Sequence, residues 1–162
     1  MLADLVAAID PEHCESLAER LLAEHRTLAR LFAQSPEALA RTLGKDSPVG
    51  AMLVAARRAT LGAMREQLSG RGIDPDNPKL LRYLTASMGG LADEALRVLF
   101  LDSSHRLIAD EQLQHGTLSH LAIYPRTIFR RAIELDAAAI ILVHNHPSGD
   151  PAPSRFDIEA TE

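Results

Sequence analysis

Apolar residues in the first part of the chain recur at helical spacing. Leu17, Leu21 and Leu28, with Leu31 and Phe32, fall on successive turns of one side. Ser35-Pro36-Glu37 reads as a helix start, with Ser35 as N-cap and Pro36 at the first helical position. That helix runs to about Leu43 and stops at Gly44. A longer amphipathic stretch follows from Val49 to Leu68. Ser69 to Lys79 (SGRGIDPDNPK) then crowds Gly, Pro, Asp and Asn together, which breaks both the helical and the strand period. The domain boundary is placed there: a helical domain over 1–69, a linker over 70–78 and a second domain over 79–162.

Beyond the boundary the pattern changes. Leu80 to Met88 reads as one helix ending at Gly89-Gly90, and Ala95 to Leu101 (ALRVLFL) as a strand. Asp102-Ser103-Ser104-His105 turns into a second strand over Arg106 to Ala109, and Leu118 to Ile123 is a third candidate. Pro125 opens a helix whose Ile128, Phe129, Ala132 and Ile133 form one apolar stripe. Ala137 to Val143 is a short, continuously apolar run, the pattern of a strand buried on both faces. Strand, helix, strand in this order predicts an α/β fold with a mixed sheet and flanking helices.

Charge narrows the partners. The chain carries 17 Lys+Arg against 22 Asp+Glu, a net charge of −5, and neither half is basic. A dedicated DNA binder usually presents a basic surface, so strong DNA binding is not expected. Cys14 is the single cysteine; it allows no internal disulfide and suits a reducing compartment. The first ten residues lack the positive segment of a signal peptide, and no apolar run reaches the roughly 18 residues needed to span a bilayer. The expectation is a cytoplasmic protein without a membrane partner.

The chemistry lies in Val143 to Asp157, VHNHPSGDPAPSRFD. His144 and His146 are two apart at the end of a strand, so alternation points both imidazoles to one side, where they can share a metal. Pro147 stops the strand, and Ser148-Gly149-Asp150-Pro151 forms a turn. Ser154 caps a new helix and puts Asp157 in its first turn, from where it can reach back to the histidines. Two His, one carboxylate and an open fourth position describe a catalytic rather than a closed structural zinc site. Taken singly, His-x-His is a common polar strand end and Ser-x-x-Asp a common helix cap. The capping and ligand readings are compatible. His13, His25, His105, His115 and His120 are scattered and take no role.

The joint pattern, His-x-His-Pro, six residues, then Ser-x-x-Asp directly after an apolar strand, is the JAMM signature of MPN+ metalloproteases, and HNHPSGDPAPS resembles the RadC family of bacterial proteins. Phe100-Leu101-Asp102, Gly116-Thr117 and Tyr124-Pro125-Arg126 carry the likeness outward, from roughly Ser16 to Glu162. The resemblance implies an MPN/JAB-like domain with His144, His146 and Asp157 as zinc ligands. It implies that Ser154 steadies the zinc-bound water or the oxyanion. It also implies a general-base glutamate on the first strand, a place Glu94 fills, with Asp93 as the neighbouring candidate. The implied activity is zinc-dependent hydrolysis of peptide or isopeptide-like amide bonds in a peptide or protein substrate. Two departures bear on it. Where the family carries a helix-hairpin-helix module, Leu43 to Gly50 lacks the compact Gly-apolar-Gly hairpin and holds Asp46. The family's domain also runs on for several dozen residues, so a C-terminally short domain is expected here. That leaves an inactive MPN-type interaction module, or a DNA-repair-associated protein, as the alternatives.

Overall fold

A computed structural model describes residues 1–115 and 124–161; the expected strand over 118–123 lies outside them. The chain divides into two compact units, Met1–Ala63 and Met64–Glu162.

The first unit is helical: α1 (Leu2–Ala7), α2 (Cys14–His25), α3 (Leu28–Phe32), α4 (Pro36–Leu43) and α5 (Pro48–Glu66), the last running on into the second unit. The chain stops and restarts where local chemistry directs it. Ser35 Oγ accepts from the Ala38 amide at the head of α4, and Gly44, at φ 96°, ends it in a conformation that side chains resist. Leu2, Val6, Leu21, Leu31, Leu39 and Leu53 bury the apolar faces together. Burial of each such side chain supplies roughly 1.5–3 kcal/mol, which short helices need to persist.

The second unit contains α6 (Pro78–Met88), β1 (Ala95–Leu101), β2 (Leu107–His115), α7 (Pro125–Glu134), β3 (Ala139–His144) and α8 (Arg155–Thr161). Its α/β class is as expected. The described strands pair antiparallel in the order β2-β1-β3, so β1 is central. Leu96, Val98 and Phe100 of β1 pack with Ile128 of α7, while the alternate face of β1 carries Arg97 and Leu99. Residues 70–77 are not free chain: Gly72 bridges Arg106, and the Ile73 amide donates to the His105 carbonyl at 2.7 Å.

Two expectations need correction. The strand buried on both faces is β1, not the Ala137–Val143 run. Among the described residues β3 pairs on one edge only and is half-buried, with Leu142 exposed. The second strand reaches His115 rather than Ala109. Its polar continuation hides the strand period because Asp110 and Glu111 pair with Arg97 and Arg131 rather than with solvent. In α7, which carries the expected apolar stripe, Ile128 is buried and Phe129 and Ile133 are exposed.

Candidate metal centre

The site forms where β3 ends. The β1–β3 register pairs Leu96 with His144, the last residue of β3. His146 follows just outside the strand, and the turn closes through the Gly149 amide donating to the His146 carbonyl at 2.9 Å. Gly149 takes φ 83°, which a side chain would strain. This brings the two rings together, with His144 Nε2 facing His146 Nε2 at 2.7 Å.

Asp157 arrives from α8. Ser154 Oγ accepts from the Asp157 amide at 3.2 Å, and the Asp157 carboxylate accepts from the Ser154 amide at 2.6 Å. This reciprocal cap fixes the carboxylate at the head of the helix. The same group lies 3.3 Å from His144 Nε2 through Oδ1 and 3.5 Å from His146 Nε2 through Oδ2. The cap and the carboxylate that faces the two imidazoles are thus one residue. Burial pushes the Asp157 carboxyl up, but the Ser154 hydrogen bonds and the two imidazoles outweigh it, and the group is held below the usual carboxylate range.

One donor atom from each of His144, His146 and Asp157 lies within 4.8 Å of the others, and no other group of three or more His, Cys, Asp or Glu among the described residues converges in this way. Two facing imidazole nitrogens need either a proton or a cation between them. With a carboxylate completing the set, two nitrogens and one anionic oxygen fit a zinc ion with room for a further ligand. A cleft of about 400 Å³ opens beside the set, lined by Leu84, Met88, Val143, Asn145 and both histidines. A larger hollow of about 650 Å³ in the helical unit, between Leu39 and Val54, holds no comparable donors.

Of the remaining candidates, Ser154 belongs to the site through the cap. Glu94 is half-buried immediately ahead of β1. Two residues beyond the Leu96–His144 pair, on either side, stand Glu94 and His146. Asp93 is exposed, and its carbonyl accepts from Asn145 Nδ2 at 3.1 Å. Sequence reasoning passed over Asn145, although it stands between the two histidines. It passed over a second polar cluster as well. Arg97 Nη1 bonds Asp110 Oδ1 at 2.7 Å and Tyr83 Oη at 3.2 Å, and the Tyr83 hydroxyl donates to Asp110 Oδ2. Burial, then Asp110, pushes the Tyr83 phenol up to about 12.

Residues 76–162 match the family model described as a RadC-like JAB domain. A UPF0758 protein of Rhodobacter capsulatus is 39% identical over 158 residues, covering 98% of this chain and 74% of that protein. The chain belongs to the RadC family. A UPF0758 protein of Alcanivorax borkumensis is 44% identical over 142 residues, covering 87% of this chain and 63% of its own length. The RadC-like domain therefore includes α6, the whole described sheet and the His144–His146–Asp157 set. No helix among the described residues is long and apolar enough to cross a membrane.

Proposed function

We propose that this RadC-like domain is a zinc-dependent hydrolase of peptide or isopeptide-like amide bonds, with His144, His146 and Asp157 as the ligands. The observation that carries the reading is the convergence of two imidazole nitrogens and a carboxylate on one point beside an open cleft. Zinc held there would polarise a carbonyl and lower the pKa of water towards about 7. The protein's own groups do the rest. Glu94 accepts the proton that the attacking water gives up and returns it to the leaving amine. Ser154 Oγ caps α8 beside the carboxylate of Asp157, and in this reading its hydroxyl donates to the carbonyl oxygen as charge builds there. The leaving amine and the carbonyl belong to a peptide or protein that reaches the site along the cleft.

The test separates base from ligand. Glu94→Gln keeps the size of the side chain but removes the base. Zinc content and melting temperature should stay nearly unchanged, while hydrolysis of fluorogenic peptide and isopeptide libraries falls by roughly 10²–10⁴. Asp157→Asn should instead weaken the metal, because an anionic ligand is lost. Full activity in Glu94→Gln, or zinc loss as severe as in Asp157→Asn, would remove Glu94 from the reaction. A parent protein that holds zinc but cleaves nothing would favour a non-enzymatic interaction module.

A further inference from the structure

The residue between the two histidines makes a contact that no ligand role requires. Asn145 Oδ1 accepts from the Ala95 backbone amide at 2.9 Å, and Asn145 Nδ2 donates to the Asp93 carbonyl at 3.1 Å. The two partners fix which way the carboxamide faces, because an N–H can only meet the oxygen and a carbonyl can only meet the NH2. The side chain thus presents an acceptor and a donor, as a backbone peptide unit does, to the first residue of β1 and the chain just ahead of it, which β3 no longer pairs. β3 ends at His144, and Pro147 and the Gly149 turn lead the chain away. Without Asn145 the chain just ahead of β1 would lose both of these bonds.

The two bonded backbone groups flank a single residue, Glu94. We propose that Asn145 is a positioning residue: its carboxamide bridges the backbone on either side of Glu94 and so fixes that glutamate relative to the His144–His146–Asp157 set. This rests on the metal reading above and adds to it. The Asn that separates the two histidines also ties the candidate base to the end of β3, so the base and the two imidazoles are held by one three-residue segment, His144-Asn145-His146. Its neighbours have no equivalent. Val143 pairs with Arg97 through the backbone ladder, and Pro147 has no amide to offer.

A double-mutant cycle read by bound cobalt(II) tests this without any substrate. Cobalt occupies sites of mixed nitrogen and oxygen ligands, and its visible absorption responds to groups around the ion. In the parent background Glu94→Gln should shift the cobalt band. In the Asn145→Ala background the same change should do little, because Glu94 is already displaced. Cobalt affinity should fall less than about threefold in Asn145→Ala, since no ligand is lost. Amide hydrogen exchange reads the bonds directly: Ala95 should exchange about five- to tenfold faster in Asn145→Ala while Leu99 is unchanged. Asn145→Asp keeps the acceptor and loses the donor, so it should restore Ala95 protection but not the full Glu94 effect. It also serves if the alanine variant folds poorly. Equal Glu94→Gln effects in both backgrounds, or unaltered Ala95 exchange, would overturn the positioning role and leave the metal reading standing. Failure of the parent to take up cobalt would overturn both.

Discussion

The second unit holds two polar clusters on one small sheet, and they are built on opposite principles. Tyr83, Arg97 and Asp110 satisfy one another almost completely: donor meets acceptor, charge meets charge, and the Asp110 side chain is 1% exposed. His144, His146 and Asp157 are about a fifth exposed and turn like to like, ring nitrogen towards ring nitrogen, with the carboxylate beside both. The first cluster is a closed triad in a low-dielectric interior, and its chemistry is used up in holding α6 to β1 and β2. The second brings two imidazole nitrogens and a carboxylate oxygen to within 4.8 Å of one another. Buried ionic groups therefore say little about function until one asks whether they satisfy each other.

Substitutions can break the comparison from either side. The largest effect belongs to the closed cluster. Asp110→Ala strands the Arg97 guanidinium, whose Nε is already buried without a partner among the described residues, and should cost about 3–5 kcal/mol in denaturant unfolding. Zinc bound per folded chain should not change. Reduced zinc in the folded fraction would mean that the two clusters are coupled.

Ser154→Ala should cost less, about 0.5–2 kcal/mol for a lost cap, but it should also loosen zinc. The cap and the ligand carboxylate share one geometry, so calorimetric zinc affinity should fall, though less than in Asp157→Asn. An unchanged affinity would separate capping from ligation. The smallest effect is electrostatic and lies outside both clusters. The Arg131 guanidinium hydrogen-bonds Glu111 and holds its carboxyl below the ordinary value of 4.5. A depressed folded-state pKa means that stability is present above pH 4.5 and is lost as pH falls through the lower folded value. Glu111→Gln should flatten the acid side of the stability curve, with a small loss of stability at and above pH 4.5 and almost none at lower pH.

How legible each part was in the sequence follows from the range of the forces that build it. Helix α4 could be read to the residue, because Ser35, Pro36 and Gly44 act on their own neighbours. Strand β1 was equally plain, since both its faces are apolar. Strand β2 was cut short at Ala109 because the partners that let Asp110 and Glu111 lie in a strand, Arg97 and Arg131, are 13 and 20 residues away. The convergence of His144, His146 and Asp157 was legible because its spacing is local: strand alternation for the histidines and one helical turn for Ser154 and Asp157. Asn145 was not, because its partners lie 50 and 52 residues back and are backbone atoms that no side-chain pattern reveals.

The central claim is that the open cluster is a zinc site, and metal content tests it most directly. Plasma-emission analysis should find close to one zinc per chain in the purified parent protein and none in the His144→Ala, His146→Ala double variant, with both proteins folded by circular dichroism. Equal zinc in the two proteins, or a folded parent that takes up no zinc when it is supplied, would contradict the account.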